Sequence, residues 1–195
     1  RSANVIVLAV PSQSIRKLLI DNRSDFNQDQ LIVNVSKGIE VDTLMTVSEV
    51  IYDVLGTAYN KSVTLSGPSH AEEVVQKHPT TLVAASSNLE AAQKIQDLFA
   101  SDMLRTYRNK DIKGVELGGS MKNVIAIAAG ICDGIGYGDN SKAALITRGM
   151  AEITRLGKKV GGKRNRKLQI VDYSIFPSCL FNEAAWTKKI CMDRF

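Results

Sequence analysis

Lys122 and Asn123 stand at the head of an apolar run, Val124 to Ile127, with Gly118 and Gly119 shortly before them. On a helix, glycines three and four residues earlier leave the face beside the lysine uncovered, so that another group can approach it closely. An ammonium partly withdrawn from water has its pKa lowered towards neutrality, which suits it to general acid/base work. A lysine snorkelling at a helix edge, with the glycines serving helix packing, fits the same residues. Residue types alone leave both uses open.

Three further segments have the look of ligand loops: Pro11-Ser12, Ser36-Lys37-Gly38 and Gly67-Pro68-Ser69, each just after a short apolar run. In a doubly wound sheet, ligands bind outside the carboxyl ends of the strands. Lys37 would place a cation there, beside a glycine that permits close backbone approach, although an ordinary exposed loop lysine reads the same way. Gly67 and Ser69 could offer backbone amides and a hydroxyl to an anion near a helix start, or make a plain turn. Gly134, Gly136 and Gly138 imitate part of a phosphate loop, but they follow a helix pattern rather than a buried strand, and no complete GxGxxG occurs.

The elements that would carry these residues follow from hydrophobic patterning. Asn4 to Val10 is a continuous apolar run rich in β-branched residues, which predicts a parallel strand covered on both faces, with Ser12 capping the next helix. Strands are predicted again at Leu31 to Val35, Ser62 to Ser66, Thr80 to Ala85 and Leu104 to Tyr107. Amphipathic stretches separate them: Leu44 to Leu55, His70 to Gln76, and Asn88 to Ala100. Strands alternating with helices indicate a mostly parallel sheet. From Asp111 the pattern changes to two long helices, Val115 to Ile131 and Ala143 to Val160, with no strand between them. The expected organisation is an α/β region over 1–109, the start of a helical domain over 110–162, and an atypical segment over 163–195.

Charge and composition set that last segment apart. Residues 1–157 hold 16 Lys/Arg and 17 Asp/Glu, whereas residues 158–195 hold 9 and 3, so the net +5 of the chain comes from its end. A basic run without a recognised motif argues against a specific nucleic-acid site. All 14 glycines lie at or before Gly162, while the only Trp and three of five Phe lie beyond it. Cys132, Cys179 and Cys191 form no CxxC pair and no disulfide framework, which favours a reducing cytoplasm, and His70 and His78 have no cysteine near them to build a zinc site. The run from Val124 to Cys132 is shorter than the roughly 18 residues of a membrane span, so no transmembrane helix is expected. The sequence opens on Arg1 and runs directly into a strand, which suggests a chain cut from a longer one.

Taken together, VPS after the first strand, SKGIE, SGPSHAEE and the long segment GVELGGSMKNVIAIAAGICDGIGYGDNSKAALITRGMAEITRLG resemble the bacterial type of NAD(P)-dependent glycerol-3-phosphate dehydrogenase, from about Asn4 to Gly162. The resemblance implies a partial Rossmann-type domain followed by a helical substrate domain. It implies NAD or NADP as cofactor and interconversion of dihydroxyacetone phosphate and sn-glycerol 3-phosphate, feeding glycerophospholipid synthesis. By the same resemblance Lys122 is the general acid/base and Asn123 stands beside the substrate. Lys37 is shared between cofactor and substrate, Gly67 and Ser69 touch substrate, and Ala71 touches cofactor. A soluble homodimer with no metal, membrane or nucleic-acid partner completes this expectation. The family's glycine-rich turn is not among these residues, and Arg164-Asn165 matches the family's later Ser-Arg-Asn run only in part, so neither is given a role. Two rivals remain open: an inactive fragment of such an enzyme, and a hydroxyacid or phosphogluconate dehydrogenase of similar plan.

Overall fold

The computed structural model of the chain describes residues 3–57 and 59–161. The chain divides into two compact units, Arg1–Leu117 and Gly118–Phe195. The division falls inside a long helix, a little beyond the strand end at Asn109 where the sequence pattern changes. The atypical segment 163–195 lies outside the described residues.

The first unit is built from β1 (Val5–Leu8), α1 (Ser12–Asp21), β2 (Leu31–Asn34), α2 (Val47–Leu55), β3 (Val63–Ser66), α3 (Ala71–Val75), β4 (Thr80–Ala85), α4 (Leu89–Phe99) and β5 (Leu104–Asn109). The five strands form one sheet in the order β1-β2-β3-β4-β5. Three of its pairings are parallel, with Val5 beside Leu31, Val33 beside Val63 and Thr80 beside Leu104. The fourth is antiparallel, setting Leu65 beside Ala84, so the sheet is mixed. The reason lies in the connection. A parallel return needs a crossover, usually a full helix, and between β3 and β4 the chain supplies only the five-residue α3.

Alternation along β2 divides the core between the two faces. Ile32 joins Leu8, Ile15, Leu19, Val50 and Ile51 in a cluster built with α1 and α2. Its neighbours Leu31 and Val33 join Val63, Leu65, Leu82 and Ile95 in a second cluster beneath α4. β2 is therefore buried throughout, as its apolar residues Leu31 to Val33 imply, and its last residue, Asn34, is a buried amide. The same expectation fails for β1, where Val7 is 47% exposed. β1 is an edge strand of the described sheet, and an edge can be apolar in sequence without being covered.

Two cap assignments differ from the sequence reading. Ser12 is the first residue of α1 rather than its cap; the N-cap position falls to Pro11, with no side-chain capping bond. The stretch predicted from Leu44 becomes helical only at Val47, because Thr46 and Glu49 form a capping box there. Leu44 itself takes a left-handed φ of 58° in the turn before it.

The second unit holds most of α5 (Ile112–Ile135) and α6 (Asp139–Lys159). Ala126 and Met150 form its small core with Ile125, Ile146 and Ile153 packed against them. The helices approach closely at Gly149, where a Cβ would collide with the Ile125 side chain. α5 extends past Gly134, leaving Gly136 and Gly138 in the interhelix turn, and Gly136 has φ of 85°.

By length and composition α5 could cross a membrane, contrary to the expectation drawn from its longest uninterrupted apolar run. Its isoleucines, valines and alanines outweigh the charged residues that divide it. Length and composition carry little weight here, because α5 also bears the buried side chains of Glu116 and Lys122.

Candidate active site

The ends of β1, β2 and β3 bring three of the predicted loops side by side. Lys37 is exposed at the end of β2, and its Nζ donates to the carbonyl of Gly67, 3.4 Å away, at the end of β3. Gly67 is buried, and a Cβ on it would strike the backbone of Thr81 and Leu82, so its first requirement is close packing against β4. Ser69 and Ala71 follow it on the same segment, both exposed, with Ala71 opening α3.

The Lys37 loop is held from both sides. Before it, the Ser36 hydroxyl donates to the carbonyl of Val10 at 2.5 Å, and the Ser36 N–H donates to Asn34 Oδ1 at 2.9 Å. After it, Gly38 adopts φ of 145° and presses against Ser12, leaving no room for a Cβ. Gln13 then clasps the next stretch, donating from Nε2 to the Ile39 carbonyl at 2.8 Å and accepting from the Val41 N–H at 3.1 Å. Ser12 thus serves the loop by being small and near, whatever else it does.

Farther along the loop, Glu40 is held by Arg16 of α1, with Arg16 Nε 2.9 Å from Oε1 and Nη2 2.9 Å from Oε2. The Thr43 hydroxyl donates to Glu40, and Arg16 also pairs with Asp53 of α2. The guanidinium first, then the Thr43 hydroxyl, hold the Glu40 carboxyl below its ordinary range, against the opposite pull of burial.

Buried under the strand ends is a carboxylate that the sequence reading missed. Glu116, on α5 within the first unit, accepts from the Ser48 N–H at 3.0 Å, the Ser48 hydroxyl at 2.6 Å, the Thr64 hydroxyl at 2.9 Å and Asn34 Nδ2 at 3.4 Å. Its donors come from β2, α2 and β3, and Ser48 lies in the first turn of α2, where the helix dipole favours negative charge. Nearby, Lys113 pairs with Glu49 at 2.7 Å. Burial pushes the Glu49 carboxyl up, but Lys113 and the Thr46 N–H outweigh it and leave it below its ordinary range. The start of α5 is fixed further by Asp111, which caps the Gly114 N–H at 3.0 Å and occupies the space a Gly114 Cβ would need. The available signal was a lone acid, Glu116, between the apolar residues Val115 and Leu117.

Lys122 and Asn123 lie on α5 within the second unit. Lys122 is buried, at 7% exposure, and Asn123 beside it is exposed. A Cβ at Gly118 would meet nothing within 4 Å, which agrees with an uncovered face one turn before the lysine. Among the described residues no cluster of three or more His, Cys, Asp or Glu side chains could hold a metal ion.

Residues 1–92 match the family model for the N-terminus of NAD-dependent glycerol-3-phosphate dehydrogenase, and residues 111–175 match the model for its C-terminus. The chain belongs to the NAD-dependent glycerol-3-phosphate dehydrogenase family. Its C-terminal match runs past Gly162, where the motif resemblance ends. Over 161 residues the chain is 58% identical to glycerol-3-phosphate dehydrogenase [NAD(P)+] from Clostridium perfringens, covering 83% of this chain and 48% of that protein. The Bacillus subtilis protein of the same name is 54% identical over 161 residues, 82% of this chain and 47% of its own length. The chain therefore spans about half the length of the curated relatives it matches. Among solved structures, the glycerol-3-phosphate dehydrogenase of Coxiella burnetii superposes with a TM-score of 0.81 at 30% identity, covering 95% of this chain and 59% of that one. A Dunaliella salina structure, DsGPDH, shares the fold with a TM-score of 0.84 at 22% identity, over 98% of this chain and 34% of that one. The family's sheet followed by helices is thus the plan of this chain.

Proposed function

We propose that the full-length protein is an NAD(P)-dependent oxidoreductase interconverting dihydroxyacetone phosphate and sn-glycerol 3-phosphate. The observation that carries this reading is the 58% identity over 161 residues to a glycerol-3-phosphate dehydrogenase, which spans both the strand-end loops and the Lys122 helix. A bound nicotinamide supplies or accepts the hydride. Lys37 and Ala71, both exposed beyond strand ends, suit contact with such a cofactor at the edge where doubly wound sheets bind ligands. Neither contributes a phosphate-cradling glycine turn, and the sequence contains no GxGxxG.

In the reductive direction Lys122 gives a proton to the ketone oxygen of the substrate, and in reverse it takes the proton from the hydroxyl. The Lys122 side chain is buried, so bulk water is kept from competing for the proton it exchanges with the substrate. Asn123 holds the reacting oxygen or its neighbour by hydrogen bonding. Lys37, Gly67 and Ser69 hold the substrate, with the Lys37 ammonium offsetting its negative charge. The same reading expects a reducing cytoplasm, with precursors of glycerophospholipids as its product class and no membrane or nucleic acid as partner.

The test is turnover by the full-length protein on a panel comprising dihydroxyacetone phosphate, 6-phosphogluconate and a simple 2-hydroxy acid, each with both nicotinamide cofactors. Selective oxidation of the reduced cofactor by dihydroxyacetone phosphate is expected. Preference for either other substrate would overturn the assignment.

A further inference from the structure

Loops beyond strand ends are usually mobile, and a long lysine side chain on such a loop has little reason to stay in one place. The Lys37 loop is built against that tendency. Its near side is tied through the Ser36 hydroxyl to the Val10 carbonyl just beyond β1, and Gly38 is wedged against Ser12. The contacts of Gln13 are exposed, so water competes for them. Arg16 and Glu40 differ in kind, because the Glu40 side chain is only 10% exposed and the guanidinium meets it with a fork of charge-assisted bonds. Glu40 also closes a small backbone ring, donating its N–H to the Met45 carbonyl at 2.9 Å and accepting the Leu44 N–H at 2.9 Å. Without the guanidinium, a shielded carboxylate would keep only the Thr43 hydroxyl of these partners, and water would draw it outward. The chain from Gly38 to Glu40 would move with it, and Lys37 sits directly upstream.

We infer that Arg16 and Glu40 are positioning residues for Lys37, holding its loop so that the ammonium meets an anionic substrate at the ends of β2 and β3. The inference rests on the proposed reading of Lys37 as a substrate contact. Asp53, pairing with the outer side of Arg16, steadies the guanidinium from α2 and belongs to the same device. None of these three side chains need touch the substrate.

The experiment is a double-mutant cycle in the full-length enzyme, reading KM for dihydroxyacetone phosphate separately from kcat. Arg16→Ala is expected to raise KM by about fivefold or more with a smaller change in kcat, and Lys37→Ala to raise it as well. In the Lys37→Ala background, adding Arg16→Ala should change KM by less than about twofold, because its effect runs through a side chain no longer present. Arg16→Lys, which keeps one charge against Glu40, should recover part of the loss. Should Arg16→Ala fail to fold, Asp53→Asn provides a milder loosening, with a smaller rise in KM that also vanishes in the Lys37→Ala background. If Lys37→Ala leaves KM unchanged, both the substrate-contact reading and the inference fall. If Lys37→Ala raises KM but the Arg16 or Asp53 change does not, or acts undiminished without Lys37, the inference alone is overturned.

Discussion

Ser48 gives both of its hydrogen-bond donors to one carboxylate: its backbone N–H reaches Glu116 Oε1 at 3.0 Å and its hydroxyl reaches Oε2 at 2.6 Å. Through this pair the first turn of α2 is joined to the start of α5, and the Thr64 hydroxyl brings in β3. A buried carboxyl group is tolerated when its lone pairs are filled, and Ser48, Thr64 and Asn34 supply donors to it from three elements. Glu116 thus acts as a polar knot under the strand ends, and removing it leaves several buried donors without their acceptor.

Glu116→Ala is therefore expected to destabilise the protein by about 2 to 4 kcal/mol, more than an ordinary truncation, because Ser48, Thr64 and Asn34 lose a shared partner. Glu116→Gln keeps one acceptor oxygen and should cost less. Urea denaturation of the three proteins followed by circular dichroism provides the check. Equal stability of wild type and Glu116→Ala would show that the knot contributes nothing.

The Arg16–Glu40 pair gives a pH signature. The Glu40 carboxyl is held below its ordinary value of 4.5 by the guanidinium and by Thr43. A depressed folded-state pKa contributes stability that is present above the unfolded value and lost as pH falls through the folded one. Wild type should therefore exceed Glu40→Gln in stability near neutrality, with the gap narrowing as pH falls below 4.5. Thermal melts of both proteins across that range measure it, and a gap that stays constant into acid would refute the pairing as its source.

Thr106 on β5 offers an opposite case. Among the described residues its buried hydroxyl finds no hydrogen-bond partner, while the residue is only 4% exposed. Replacing it with valine keeps the shape, suits a strand and removes an unsatisfied polar atom. Thr106→Val is expected to raise stability by about 0.5 to 2 kcal/mol. A clear loss in chemical denaturation would mean that the hydroxyl is satisfied in solution by a group such as water.

Much of this architecture can be read from local pattern, and the failures have physical causes. The apolar residues Leu31 to Val33 specify a strand buried on both faces, and that is what β2 is. The similar run at Val5 to Leu8 carries the same signal, yet coverage is a property of neighbours rather than of the strand itself. The reversal of β4 follows from the shortness of α3, which pattern alone shows only as a helix broken by Pro79. In the candidate site, Lys37 and Gly67 were legible as strand-end residues, and the structure joins them. Arg16, Glu40 and Glu116 were not, since each gains its meaning from a partner many residues away.

We propose Lys122 as the acid/base group of the full-length enzyme. The most direct test of this role is steady-state turnover of dihydroxyacetone phosphate by the full-length enzyme and by its Lys122→Ala variant, with equilibrium binding of the reduced nicotinamide measured on both. Positioned general acids contribute about 10² to 10⁴ in rate, so kcat should fall by that order while cofactor affinity changes far less. Near-normal turnover by Lys122→Ala would remove Lys122 from the chemistry.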